Sequence, residues 1–342
     1  MADTPRDPSG YPRTVRATGS TGWHSLAFGT RWSLVLCALV VALVGTIASL
    51  NSTVYSAPGF VHSYLDSLAA GDTEAALAGG GAVPGGAASA HLIAPVPGEL
   101  DRAQLRSDTV QADGTHLVRF SFTLRGSMNT AAFTVRPDAS LWLVFTGWRF
   151  VNSPIGSLTV TPHSDARFTA NGRSFTTRGA GLPASYAVLL PAVVTLRHDS
   201  RYLEAAPTRV IVVDAASLAS ASVTPVPKPA LVAEVQKQLT AVLNDCITQT
   251  VLQPTGCPFG QEVNNEVEGV PRWTMRNYPK LTIVSGSVEG TWLVPRSPGT
   301  AHLVVPVRSL FDGSQSIFEQ DVPFSVSYTI AFTASGVAIS AR

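Results

Sequence analysis

The sequence predicts an α+β protein with one amino-terminal transmembrane helix, followed by two domains that each lay a helix on an antiparallel sheet, with a small β-sandwich between them. Three observations predict it. An unbroken apolar run fills Trp32–Leu50, the apolar pattern beyond it passes twice from a helical to an alternating period, and the stretch between those passages has no helical period at all. Composition agrees, because the chain is rich in valine, threonine, serine, glycine and proline and poor in lysine, the balance of short strands and turns.

Residues 1–30 are polar and glycine-rich with no apolar period, which predicts a disordered cytoplasmic tail. The apolar run matches the roughly 20 helical residues that cross a bilayer core, so residues 31–51 are expected to span the membrane. Ser33, Thr46 and Ser49 interrupt the run but can bond back to their own helix. Arg13, Arg16 and Arg31 precede it and no lysine or arginine follows before Arg102, so the positive-inside rule keeps the amino terminus cytoplasmic and exports the rest across the plasma membrane. A cleaved signal peptide is the competing reading, since small residues around Ala48 suit a peptidase. Against it stand a long leading segment and an apolar run beyond the usual 7–15 residues.

The exported part is long enough for two or three domains. In the first, residues 56–152, Phe60, Val61, Tyr64, Leu65 and Leu68 mark one helical face and His62, Ser63, Asp66 and Ser67 the other. Gly71 closes that helix and Asp72 is placed to cap a second short one. Gly79–Ala90 reads as a flexible loop. From Val110 the period becomes two, with Val118, Phe120, Phe122 and Leu124 alternating with polar residues, and turns are expected at Gly126 and at Pro137-Asp138. Residues 156–214 carry only short β runs around turn signals such as Asn171-Gly172, and predict the sandwich. VTPVPKP then marks residues 215–229 as a stiff linker. In residues 230–342 a stripe of Leu231, Val232, Val235, Leu239, Val242 and Leu243 predicts a helix. Strands are expected at Trp273–Tyr278, Leu281–Val284, Gly290–Val294, Leu303–Val307, Val322–Phe332 and Val337–Ser340.

The stretch from Phe60 to Leu77, with its aromatic-Leu-x-x-Leu face and its Gly71-Asp72 break, resembles the opening helices of the NTF2-like, cystatin-related extracytoplasmic domains of bacteria. Phe168, Asn171-Gly172 and the Leu190-Pro191 turn resemble the small β domains described as PEGA-like. The order of parts is similar to actinobacterial single-pass envelope proteins and, distantly, to TcaA-type membrane proteins. The latter often carry a cysteine-rich zinc ribbon before the anchor, and this chain has no cysteine there. The resemblance implies two NTF2-like domains flanking a PEGA-like one, and an extracytoplasmic location. It brings no catalytic residue with it.

Charged residues are only 14% of the chain and the net charge is +1, so the clustered basic face that nucleic acid requires is missing. Cys37 falls in the apolar run, which leaves Cys246 and Cys257, ten residues between them, as a disulfide in an oxidising compartment. No phosphate loop, HExxH, GxSxG or SxxK motif is present, and no catalytic residue, metal or cofactor is expected. The glycine cluster at Gly79–Gly81 and Gly85-Gly86 follows a helix and lacks a lysine, so it reads as loop rather than phosphate site. His62 and Asp66 share a helical face at i, i+4 and, with His116, are the ligand-pocket candidates. The plainer reading of that face is solvated. Glu262, Asn264, Glu266 and Glu268 offer oxygen ligands without the spacing of a calcium loop, and Trp142, Trp148, Trp273 and Trp292 read as core aromatics more readily than as a sugar platform. The expectation is therefore a non-enzymatic envelope protein, held by lipid through one helix, that contacts other envelope proteins or wall polymer. The alternative is a sensor holding a small ligand in an NTF2-like cavity.

Overall fold

The computed structural model describes residues 23–80, 91–141, 145–216, 218–333 and 336–342, which divide into two compact units. The first joins Met1–Ser56 to Ala139–Gly147. Its helix α1, Trp23–Ser52, contains at Trp32–Ser52 the single described helix long and apolar enough to cross a membrane, with mean hydropathy 2.5 and none of that window buried. Thr46 Oγ1 donates to the Ala42 carbonyl at 2.8 Å, the back-bond that removes a hydroxyl's polarity from lipid. The helix starts at Trp23, so residues 23–30 correct the expected tail. Extending an existing helix adds one hydrogen bond per residue without a new nucleus. Residues 1–22 and most of the Gly79–Ala90 tract lie outside the described residues. Tyr55 stacks on Phe145 with ring centroids 4.3 Å apart, and the Asn51 amide oxygen accepts from Thr146 N–H at 3.3 Å.

The second unit, Ala57–Asp138 with Trp148–Arg342, carries the rest of a mixed α+β fold that is mostly strand. It opens with α2 (Ala57–Ala70) and α3 (Thr73–Gly80). Gly71 adopts φ +73°, and the Asp72 carboxylate accepts from Ala75 N–H at 3.0 Å, so the expected stop and cap are both present. After β1 (Leu92–Ile93), the strands β2 (Leu100–Val110), β3 (His116–Leu124), β4 (Ser127–Leu141) and β5 (Phe145–Phe150) form one sheet in chain order. Val61, Tyr64, Leu65 and Leu68 of α2 bury against Phe120, Phe122, Phe133 and Phe150. Each such side chain contributes about 1.5–3 kcal/mol of transfer free energy. Pro137-Asp138 is not a turn. β4 runs through it because β3 ends opposite Val135, so the missing proline N–H has no ladder bond to break.

The sandwich comprises β6 (Ile155–Pro162), β7 (Arg167–Ala170), β8 (Arg173–Thr176), β9 (Ala184–Leu189), β10 (Ala192–Asp199), β11 (Leu203–Val212), β12 (Ala219–Val223) and β13 (Val226–Pro227). Its sheets, β1-β9-β6-β12 and β13-β11-β10-β7-β8, close over Leu158, Val160, Phe168, Tyr186, Val194 and Leu196. Asn171 and Gly172, at φ 50° and 81°, make the two-residue turn between β7 and β8. Residues 215–229 are no spacer: β12 pairs in parallel with β6, Val223 is buried in the core, and β13 pairs with β11. The prolines bound these short edge strands instead of stiffening a linker.

The last module holds α4 (Pro229–Ile247), β14 (Glu266–Val267), β15 (Arg272–Asn277), β16 (Val284–Ser285), β17 (Trp292–Arg308), β18 (Gln315–Thr333) and β19 (Gly336–Ala341). Leu231, Val235, Leu239 and Leu243 bury one face of α4 on the β17-β18-β19 sheet, whereas Val242, expected in that stripe, is exposed. The two strands expected at Gly290–Val294 and Leu303–Val307 are one strand, β17. A bulge between Val294 and Ser297 switches its buried positions from even (Trp292, Val294) to odd (Ser297, Ala301, Leu303, Val305, Val307), which hid the continuity. Leu281 and Ile283 are buried, but only Val284–Ser285 pairs as strand.

Candidate interaction surface

The disulfide joins Cys246 in the last turn of α4 to Cys257 in the succeeding loop. The other residues the sequence marks, His62, Asp66 and His116, lie apart from the described cavities. His62 Nδ1 lies 2.9 Å from Asp66 Oδ2 on the exposed face of α2. His116 Nδ1 bonds Asp108 at 2.9 Å, and its ring meets Trp148 edge-on at 4.8 Å. Glu268 is committed to Arg308 at 2.6 Å and to Gln315 at 2.7 Å, and among the described residues no group of three or more His, Cys, Asp or Glu side chains converges as a metal site. Trp273 and Trp292 are core and Trp148 is half-buried, while Trp142 lies outside the described residues.

One cluster carries no local signal in the sequence. His198, buried at the corner between β10 and β11, bonds the Arg167 carbonyl through Nδ1 at 2.7 Å and Ser200 Oγ through Nε2 at 3.0 Å. The carbonyl can only accept, so it fixes the proton on Nδ1 and leaves Nε2 facing the hydroxyl. Ser200 Oγ also accepts from Leu203 N–H at 3.2 Å and faces the Leu203 carbonyl at 3.1 Å, so its single proton is contested and the hydroxyl staples a turn. Burial opposes charge on the nearby Asp165, but side-chain and backbone hydrogen bonds from Arg167 hold its carboxyl below the usual range. The adjoining cavity, about 260 Å³, is walled by Tyr202 and Phe332.

The largest described concavity, about 530 Å³, lies along β4 and is lined by no residue of α2, α3 or α4. Its geometry stems from one turn. Arg125 and Gly126, at φ 43° and 85°, form a two-residue hairpin loop, so Leu124 and Ser127 are the closing pair and exchange hydrogen bonds. By alternation, Ser127, Asn129, Ala131, Phe133 and Val135 aim their backbone groups at β3. Met128, Thr130, Ala132 and Thr134 aim theirs at the opposite edge. Val151 N–H donates to the Thr134 carbonyl at 2.8 Å, as this parity requires. Beyond Thr134 the chain leaves the sheet through Asn152, Ser153 and Pro154, and no described hydrogen bond engages the outward groups of Met128, Thr130 or Ala132. Asn152, Pro154, Leu190 and Val213 wall the resulting groove, and Arg119, Ala132, Phe133 and Phe150 line its β-sheet side.

No protein-family model matches this sequence, and no curated protein does.

Proposed function

We propose that this chain is a single-pass plasma-membrane protein, amino terminus cytoplasmic, whose exported modules bind other envelope proteins or wall polymer and do not catalyse. The apolar α1 supports the anchor, and the Cys246–Cys257 bridge supports an oxidising compartment for the residues beyond that helix. Two helices, each laid on an antiparallel sheet around a sandwich, support the NTF2-like and PEGA-like resemblance. One observation carries the binding reading over the small-ligand one. Both helix–sheet interiors are packed by fully buried side chains, and the largest concavity lies outside them on an open strand edge.

The test combines topology with contact. The chain should resist carbonate extraction, and protease applied to spheroplasts should degrade the region after Ser52 while sparing the tail. Cross-linking in intact cells should yield discrete adducts with envelope components. A mature chain beginning near Asn51 that washes off membranes overturns the anchor, and an absence of adducts from every exposed surface overturns the binding role.

A further inference from the structure

We infer that the open β4 edge, Met128 to Ala132, is a docking site for an extended acidic segment of a partner protein, which adds to the sheet as a further strand. The inference rests on the binding reading above and names its partner class. Among the described residues, Met128, Thr130 and Ala132 present unpaired backbone donors and acceptors on one line, the pattern an added strand completes. Met128, Thr130 and Ala132 are all exposed, so nothing in the described chain stands over that line. On the core side of the same edge, Phe133, Phe150, Leu190 and Val213 offer apolar wall to every second side chain of such a strand.

The charge is chosen by Arg119. It is exposed, has no ion pair or hydrogen-bond partner among the described residues, and lies directly across the ladder from Ala132. A residue of the added strand opposite Ala132 would sit about 10 Å from Arg119, twice the roughly 4.8 Å strand spacing. The alanine between them is too small to separate a glutamate from the guanidinium. Asp214, at the far wall, holds Ala216 N–H at 2.9 Å, and it restricts the acidic position to the Arg119 side. The other edge of this sheet is guarded against the same event. β2 is bulged between Asp101 and Gln104 and again between Leu105 and Ser107, and carries Asp101, Arg102, Arg106 and Asp108.

The experiment uses the full chain in nanodiscs and a fluorescein-labelled, capped heptapeptide of alternating valine and threonine with a central glutamate. Saturable binding is expected, about tenfold weaker for the central-lysine peptide, with Arg119→Glu reversing the preference. Thr130→Pro removes an outward N–H without touching the β3 ladder and should weaken binding at least about tenfold at unchanged melting temperature. If that variant fails to fold, Arg119→Glu decides alone. No binding by the wild type, no preference for glutamate over lysine, or indifference of a folded Thr130→Pro variant overturns the site. So does self-association that Thr130→Pro abolishes, which would assign the edge to a second copy. A photo-cross-linker at Ala132 separates this failure from failure of the wider reading. Adducts from Phe311 at the β17–β18 tip but none from Ala132 sink only this site, and adducts from neither position or any other sink both.

Discussion

The two helix-on-sheet modules solve one packing problem and leave their sheets finished to different degrees. In the carboxy-terminal module the long strand β17 is covered along its outer edge by three short strands: β14 at Val307–Arg308, β15 at Thr300–Val304 and β16 at Trp292–Leu293. The helix there is also stapled to its succeeding loop by a disulfide. In the amino-terminal module, among the described residues, β4 is covered only down to Thr134, and no disulfide holds α2. A covered strand has its backbone groups satisfied within the fold, while an uncovered one keeps them available for another chain. On the proposed reading, the difference assigns binding to the first module and rigidity to the second.

The largest expected effects test whether the two cores are equally filled. Leu65→Ala in α2 and Leu239→Ala in α4 each truncate a side chain with no solvent exposure, and each should cost about 2–5 kcal/mol in chemical unfolding. A cost below about 1 kcal/mol for either would mean that its helix does not close a core. Replacing Cys246 and Cys257 by serine should cost about 3 kcal/mol, the loop-closure entropy of a short ring. The loss should stay local, with faster amide exchange at the end of α4 and none in α2. Faster exchange in both helices would erase the proposed contrast. Glycines give a smaller effect with two origins. A Cβ on Gly299 would stand 2.5 Å from Phe324 and 2.9 Å from Pro279, so Gly299→Ala should cost about 1–3 kcal/mol by overpacking. A Cβ on Gly126 meets nothing within 4 Å, but φ of 85° should still cost Gly126→Ala about 1–2 kcal/mol. Melting curves of the two variants separate steric from dihedral strain.

Features that depend on local pattern were legible in the letters. The α2 face, the Gly71 stop, the Asp72 cap, the Asn171-Gly172 hairpin and the α4 stripe were readable because each is fixed by residues within a turn or two of one another. Failures came where distant pairing overrode the pattern. β2 has no alternation, because its bulges shift the face it presents. β17 looked like two strands, because one bulge inverts its parity. VTPVPKP looked like a spacer, because the parallel partner that makes Ala219–Val223 a strand lies some sixty residues upstream in β6. The groove is of the same kind. Arg125-Gly126 announces its hairpin, but that the neighbouring strand stops opposite Thr134 is a statement about where Pro154 turns the chain, and His198 and Ser200 meet only because a corner folds back on itself.

The smallest effect distinguishes how each module is fastened to the sandwich. The amino-terminal one is held by the buried Tyr64 hydroxyl, which donates to the Leu190 carbonyl at 2.8 Å; burial pushes that phenol's pKa up, so it stays neutral across the accessible range. The carboxy-terminal one is held by Glu289, whose carboxylate bonds His163 Nδ1 at 2.8 Å and Ser164 N–H at 2.9 Å, with its Cγ lying 2.7 Å from where a Gly181 Cβ would stand. The His163 hydrogen bond, then the Ser164 N–H, hold the Glu289 carboxyl below its usual range. A lowered folded pKa means that the unfolded chain takes up the proton first. The stabilisation is therefore complete above the ordinary glutamate value of about 4.3 and is lost as pH falls through the lower folded value. Glu289→Gln should accordingly lose stability relative to wild type at pH 6, and the gap should close as pH falls below about 4. Amide exchange should rise in that acid window at Ser164 and in residues 286–291, with none at Leu190. A gap that stays constant with pH would show that the contact holds by shape alone, and acid exchange rising equally at Leu190 would show that the two fastenings do not differ.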